Sequence, residues 1–145
     1  DKVIQLLSSD KIIRDDNFEA IADYKCFKAE QHEYKAYIAF YVDDRQSEID
    51  QALKLFKEAS EIAAKNLNSA HPVAVNIVTK FFEFQSVLDF NPEARSIAID
   101  AYEIGLSNLH KLPEEEHLKD QAKDRLELLK ESINLFKHNS SVILE

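Results

Sequence analysis

The sequence predicts an all-α fold, and three features of its 145 residues support that prediction. One glycine and three prolines are too few for the many tight turns that a β-sandwich or β-barrel of this length needs. Apolar residues recur at intervals of three and four, which is the spacing of one face of a helix. The chain is 45% apolar and 31% charged, a composition that suits a single helical domain over residues 1–145 with one core.

The charge balance excludes several classes of partner. The formal net charge is −9, from 18 basic and 27 acidic residues. We therefore expect neither a nucleic-acid nor a membrane partner, because phosphate backbones and anionic lipids are bound by an excess of Lys and Arg. Cys26 is the only cysteine, which leaves no internal disulfide and favours a cytoplasmic location. The chain begins with Asp1 and contains no methionine, so we expect Asp1 to differ from the translated start.

The first half of the chain predicts three helical segments. Residues 3–8 have the pattern of the end of a helix, and Asn17, with the two aspartates before it, supplies acceptors for the first N–H groups of a helix near 17–42. The apolar periodicity of this helix is interrupted at Asp43, Asp44 and Arg45. The next helix is expected to end at Asn68 and Ser69. The inner residues predicted for the helix near 17–42 are Phe18, Ile21, Phe27, Tyr34, Ile38 and Tyr41. Those predicted for the following helix are Ile49, Ala52, Leu53, Leu55, Phe56, Ala59, Ile62, Ala63 and Leu67.

The second half predicts three more helices. At the start of residues 72–90, apolar residues alternate with others as they do in a strand. Pro72 nevertheless suits a first helical turn, and the segment is too long for a strand. Asn91 and Pro92 are typical of the start of a helix that reaches about residue 111. Pro113 and the acidic run after it are expected to open the last helix. Inner positions are Ala98, Tyr102, Gly105 and Leu109, then Leu118, Ala122, Leu126, Leu129, Ile133 and Phe136, and residues 137–145 are expected to form a frayed tail.

Short connections of this kind place consecutive helices antiparallel, with packing similar to that of tetratricopeptide repeats. A series of short matches then carries a more specific resemblance. These matches are Asp50-Gln51, Phe56, Glu58-Ala59, Glu61-Ile62, His71-Pro72, Phe81, Pro92-Glu93, Lys119-Asp120 and Leu128-Leu129. In order and separation they resemble the 14-3-3 proteins, from the end of the fourth helix to the ninth, over roughly residues 3 to 136. The resemblance implies an adaptor that binds phosphoserine or phosphothreonine segments of partner proteins in an amphipathic groove, with no cofactor and no enzymatic activity. The family dimerises through N-terminal helices that have no counterpart in this chain.

The resemblance also implies which residues bind the phosphopeptide. They are Lys28, Lys35, Lys80, Glu83, Val87, Ser132 and Phe136. Lys28 corresponds to a groove lysine and Lys35 to the arginine that binds phosphate. A slip of one residue would instead place Tyr34 and Lys35 at the positions of that arginine and of the tyrosine beside it.

The other implied binding residues depart from the family's pattern. Lys80 and Ser132 stand where the family has asparagines that bind the peptide backbone. Glu83 and Val87 are exchanged relative to the family's valine and glutamate, and Phe136 replaces a tryptophan.

A second function remains open, a helical scaffold that binds an unphosphorylated segment, or only the N-terminal portion that the resemblance expects before this chain. Catalysis and metal binding have little support. Cys26 has the pattern of a packed thiol, and Glu114-x-x-His117 is only half of a di-iron motif. Phe81, Phe82, Phe84 and Phe90 are expected in the core.

Overall fold

The computed structural model describes residues 17–115 and 117–137, and the regular structure in these ranges is entirely helical, so the predicted all-α class is confirmed. The helices are α1 (Phe18–Ile38), α2 (Val42–Asn66), α3 (Pro72–Phe84, continued by a π-helical turn, Gln85–Asp89), α4 (Ala94–Asn108, followed by a 3-10 turn, Leu109–Lys111) and α5 (Leu118–Leu135). No helix in the described ranges is long and apolar enough to cross a membrane. The predicted helix end at residues 3–8 and the predicted tail beyond Lys137 lie outside the described residues.

Consecutive helices run antiparallel, as predicted. The α1–α2 pair is fixed by Lys25 to Glu58 at 2.9 Å and His32 to Glu48 at 2.5 Å, contacts that only antiparallel helices can make together. In such a stack alternate helices are parallel. Helices α1, α3 and α5 therefore lie side by side and point the same way, which leaves a groove between them.

Two core clusters hold the stack together. The first lies among α1, α2 and α3, where the Phe56 ring stacks on Phe81 at 5.4 Å between ring centroids and contacts Phe84 at 5.2 Å. The second lies among α3, α4 and α5 and includes the buried Leu129. A Cβ atom added at Gly105 would lie 2.9 Å from the side chain of Leu126, so the only glycine lets α4 approach α5 closely.

The inner residues predicted for α2, α4 and α5 are packed in the interior, with Leu118 and Ala122 of α5 in a third, smaller cluster beside Leu112, but most of those predicted for α1 are exposed. Phe27 is 49% exposed and Tyr34 is 65% exposed, and Phe18, Ile38 and Tyr41 are also exposed. The residues that α1 buries are small ones, Ala22, Cys26, Ala29 and Ala36. Small side chains let two helices approach closely, so α1 packs on α2 through its alanines, and its large apolar residues are left outside.

The prediction that Phe90 lies in the core is also wrong. Phe82 and Phe84 are buried and Phe81 is partly buried, as expected, but Phe90 is 72% exposed. It follows the π-helical turn with φ of 52°, a left-handed conformation that ends the helix and turns the ring away from the core.

Three predicted boundaries also shift. The predicted interruption at Asp43, Asp44 and Arg45 is wrong, since these residues lie at the start of α2. Acidic side chains are favourable near a helix N-terminus. Helix α4 begins at Ala94 and not at Pro92. The Asn91 side chain accepts a hydrogen bond from the Glu93 N–H, which stabilises a turn just before the helix.

The last helix begins later than predicted, at Leu118. Pro113 and Glu114 lie in the connection before it, since the fixed φ of proline suits an extended segment as well as a helix start. His117 immediately precedes the helix with φ of 68°, and the Lys119 ammonium pairs with the Glu114 carboxylate.

Candidate functional site

A concave groove lies between α1, α3 and α5. It consists of adjoining pockets of about 530, 240 and 310 Å³, and the Lys80 side chain lines all three. Its lining includes Asp23, Tyr24, Phe27, Glu30, Glu33, Tyr34 and Tyr37 of α1, Asn76, Thr79, Lys80 and Glu83 of α3, and Arg125, Leu128, Glu131, Ser132 and Leu135 of α5. The α3 residues are polar, and the other two helices contribute both charged and apolar side chains, so the groove is amphipathic.

Helix α3 forms the floor of the groove, and its local sequence explains why Lys80 faces it. The His71 Nδ1 accepts a hydrogen bond from the Val73 N–H at 3.1 Å and caps the helix, which Pro72 then begins. Asn76, Lys80 and Glu83 are four and three residues apart and share one face. The opposite face is apolar and packs into the core, so the polar face is left toward the groove.

Helix α5 supplies one wall through residues at heptad spacing. Arg125, Leu128, Ser132 and Leu135 face the groove, while Leu126, Leu129 and Ile133 are buried in the second cluster. Two hydrogen bonds join this wall to the floor. The Arg125 guanidinium donates to the Asn76 side-chain oxygen at 3.4 Å, and the Ser132 hydroxyl donates to the Glu83 carboxylate at 3.0 Å.

Carboxylates surround Lys80 on the α1 side. The pKa of Glu33 is raised to about 7, first by burial and then by the nearby charges of Glu30 and Glu83, which outweigh the opposing effects of Lys80 and of a hydrogen bond to Tyr37. Burial also raises the pKa of Glu30, which Lys80 partly offsets. Of the ion pairs formed within residues 17–115 and 117–137, none joins Lys80 to Glu83. The Lys80 charge is therefore open to a ligand but balanced by its acidic surroundings.

The lysines of α1 do not join Lys80 in the groove. Lys35 lies at the outer edge, in a shallow pocket that α1 alone lines and that shares Glu30 and Tyr34 with the groove. Lys28 follows Phe27 and so points roughly 100° around the helix from it. The pair that faces the groove at a spacing of seven is Phe27 and Tyr34.

The remaining implied residues divide between groove and core. Glu83 and Ser132 line the groove and bond to each other. Val87 lies in the π-helical turn and packs against the first cluster. Phe136 packs against the second cluster, where its ring meets Phe82 edge-on at 6.0 Å.

Arg125 and Asn76 were not predicted as site residues, although a signal for both is present in the sequence. Arg125 precedes Ser132 by seven residues and Asn76 precedes Lys80 by four, so each shares a helix face with a residue already singled out.

The Cys26 thiol, which lies beside the groove, is held in its neutral form. Cys26 is 1% exposed, and burial, followed by the charges of Glu30 and Asp23, raises the pKa of its thiol to about 12. Over the part of the chain that the structure describes, no cluster of three or more His, Cys, Asp or Glu side chains is arranged to hold a metal ion.

Comparison with known proteins gives a consistent set of relatives. No protein-family model matches the chain. It is 25% identical over 138 residues to 14-3-3 protein 3 of Entamoeba histolytica, an alignment that covers 94% of this chain and 56% of that protein. It is 28% identical over 143 residues to the human 14-3-3 protein theta, covering 96% of this chain and 56% of that protein. A 14-3-3 protein homolog of Trichoderma harzianum is 26% identical over 137 residues, covering 94% of this chain and 51% of that protein. The chain thus spans about half the length of the curated relatives it matches, and the agreement among them supports a divergent relationship to the 14-3-3 proteins.

Proposed function

We propose that this chain, a divergent relative of the 14-3-3 proteins, is an adaptor that binds a segment of a partner protein phosphorylated on serine or threonine. The segment lies in the groove between α1, α3 and α5. The role is one of binding alone, without a catalytic step, and we place it in the cytoplasm.

The observation that carries this proposal is the position of Lys80. Its side chain lines all three pockets of the groove, so a ligand anywhere along the floor comes within reach of its charge. A phosphoryl group carries nearly two negative charges at neutral pH and interacts strongly with a partly enclosed ammonium. Phe27 and Leu135 are exposed and provide apolar contacts on opposite walls.

Each implied site residue then has a role that its location supports. Ser132 and Glu83 can exchange their mutual hydrogen bond for bonds to the peptide backbone. Lys35 contributes charge at the groove edge, and Lys28 contributes only a long-range field, which salt screens. Val87 and Phe136, which pack on the two core clusters, would hold the shape of the groove instead of contacting the peptide.

A second candidate function has a specific observation in its favour. Glu30, Glu33 and Glu83 flank Lys80, and like charges there oppose a phosphoryl group. A scaffold that binds an unphosphorylated segment would use the same apolar walls without needing a net positive floor.

Matched peptides decide between the two functions. The probe is a pool of serine-centred peptides, prepared in phosphorylated and unphosphorylated form and tested for binding by fluorescence anisotropy at low and high salt. The adaptor should prefer the phosphorylated pool, with a preference that shrinks at high salt. Equal binding of the two pools would favour the scaffold.

Lys80 variants test the groove assignment. Lys80→Glu should remove the preference for phosphopeptide, whereas Lys28→Glu, the same charge reversal outside the groove, should reduce binding less than threefold. Lys80→Asn should gain a backbone hydrogen bond of about 0.5 to 1.5 kcal/mol and lose the phosphate charge. If Lys80→Glu binds the phosphorylated pool as well as wild type does, the groove is not the binding site.

A further inference from the structure

We propose that the phosphoryl group is held between α3 and α5, by Lys80 and Arg125, and not by the lysines of α1. This inference rests on the proposed function and specifies the part of the groove that recognises phosphate. It also assigns a role to Arg125, a residue that the sequence resemblance did not single out.

The first argument is the shared position of the two cations. Lys80 and Arg125 both line the pocket of about 530 Å³ and the adjoining pocket of about 240 Å³, and Asn76 lines both pockets with them. A group bound where these pockets meet therefore faces an ammonium from the floor and a guanidinium from the wall. Arg125 also provides the planar fork of donors that suits two phosphate oxygens at once.

The second argument is the orientation of Arg125. One of its terminal nitrogens donates to the Asn76 side-chain oxygen at 3.4 Å, and this contact directs the guanidinium across the groove toward α3. The bond is long and exposed, so a phosphate oxygen can compete for that donor. The Asn76 amide nitrogen is a further donor beside the same space.

The third argument comes from an unpaired hydroxyl on α1. Tyr24 lines the larger pocket, and its hydroxyl oxygen is buried without a hydrogen-bond partner among residues 17–115 and 117–137. Burial raises the pKa of this phenol, so the group stays protonated and can donate. A buried polar atom without a partner costs free energy, which a bound oxyanion would relieve.

The fourth argument is the charge of the opposite wall. The groove face of α1 presents Asp23, Glu30 and Glu33, while Lys28 points away and Lys35 lies at the edge. A phosphoryl group placed against this wall would meet carboxylates first. The repulsion displaces it toward Lys80 and Arg125 on the far side, where the two cations offset the carboxylates of Glu83 and Glu131 that line the smaller pocket with them.

A spectroscopic titration tests the subsite directly. The probe is N-acetyl-phosphoserinamide added to the 15N-labelled protein, with N-acetylserinamide as the unphosphorylated control. Saturable shifts of the Arg125 side-chain Nε–H and the Asn76 side-chain amide signals, with the phosphorylated compound only, would support the proposal. Saturable shifts confined to α1 signals, or no saturable shifts, would overturn it.

Neutral variants provide the second test. Arg125→Gln and Lys80→Gln should each weaken binding of the phosphorylated peptide pool about tenfold or more and leave binding of the unphosphorylated pool within twofold. Lys123→Gln is the matched control, since it removes an exposed charge from α5 outside the groove and should change binding less than twofold. Thermal unfolding of each variant confirms that the fold is intact.

The outcomes separate this inference from the proposed function. If wild type prefers the phosphorylated pool and Lys35→Gln removes that preference while Arg125→Gln does not, the function stands and the subsite belongs to α1. If wild type shows no preference and the phosphoserine probe causes no saturable shift, both proposals fail. If the pools bind equally but the Arg125 and Asn76 signals respond to the probe, the subsite stands as an anion site and the adaptor function fails.

Discussion

Helices α1 and α5 form opposite walls of one groove, yet they bury opposite kinds of side chain. Helix α5 buries Leu126, Leu129 and Ile133, and leaves polar residues such as Ser132 toward the groove. Helix α1 buries only alanines and a cysteine, and presents its large rings, among them Phe27, outward.

The difference follows from what each helix packs against. The α1–α2 contact is the most extensive in the stack and is made through alanines on both helices, Ala29 and Ala36 on one and Ala52 and Ala59 on the other. Small side chains on both sides bring the helix axes together and leave no room for rings between them. The rings of α1 are therefore left exposed, whereas Leu126 and Leu129 of α5 are buried in the core.

The largest expected effect is the loss of a core leucine from α5. Leu129→Ala should reduce the free energy of unfolding by about 2 to 5 kcal/mol, because Leu129 is 1% exposed and its truncation leaves a cavity. Phe27→Ala, on α1, should cost only about 1 kcal/mol since half of that ring is already in water. Urea titration of both variants measures the contrast. A loss for Phe27→Ala equal to that for Leu129→Ala would show that the α1 ring belongs to the core.

Enlarging an alanine of α1 tests the other half of the comparison. Ala29→Leu should lower the free energy of unfolding by about 1 to 3 kcal/mol, because Ala29 is fully buried in the close contact with α2. The matched control is Ala20→Leu, a partly exposed position on the groove side of the same helix. Helix propensity differs little between alanine and leucine, so the control should be nearly neutral. An Ala29→Leu protein as stable as wild type would mean that the two helices are not closely packed.

The same comparison explains which parts of the fold the sequence could predict. Apolar periodicity identified the inner face of α5 because Leu126, Leu129 and Ile133 are both large and buried. On α1 it favoured the large residues and so selected the wrong face, since periodicity cannot distinguish a face that packs on a helix from one that lines a groove. Hydrophobicity alone does not report that Ala22 and Ala29 are the buried set.

The candidate site was predictable to a similar extent. Lys80, Glu83 and Ser132 were found through the resemblance, and the structure places them together in the groove. The predicted positions of the α1 lysines depended on the alignment register. A shift of one residue rotates the direction of a side chain by roughly 100° around the helix. The raised pKa of Glu33 could not be predicted at all, because it depends on burial and on Glu83 from another helix.

A smaller effect is expected from pH, through Glu33. Its pKa is about 7 in the folded protein and about 4.3 in an unfolded chain, so between these values only the folded protein holds the proton. The free energy of unfolding should therefore fall as pH rises from about 4.5 to 7, and level off above that. We expect about 1 kcal/mol from this residue, since solvent screens a partly exposed carboxylate.

The variant Glu33→Gln isolates that contribution. Its melting temperature should change less than that of wild type between pH 5 and 7.5, whereas Glu61→Gln, an exposed carboxylate on α2, should follow wild type. A Glu33→Gln curve that parallels wild type over this range would mean that Glu33 is ionised normally and that the acidic wall of the groove carries its full charge.

The smallest effect concerns the ion pair that joins α1 to α2. Lys25 and Glu58 are 2.9 Å apart, and their side chains are 31% and 35% exposed, so water weakens their attraction. A double-mutant cycle with Lys25→Gln and Glu58→Gln should give a coupling free energy of about 0.2 to 1 kcal/mol that declines in high salt. The pair crosses between two helices that core packing already holds in place, so the entropy lost when it forms is mainly that of the two long side chains. If the coupling is zero at low salt, this pair adds nothing to the α1–α2 contact, which then depends on packing in the first cluster and on the contact of His32 with Glu48.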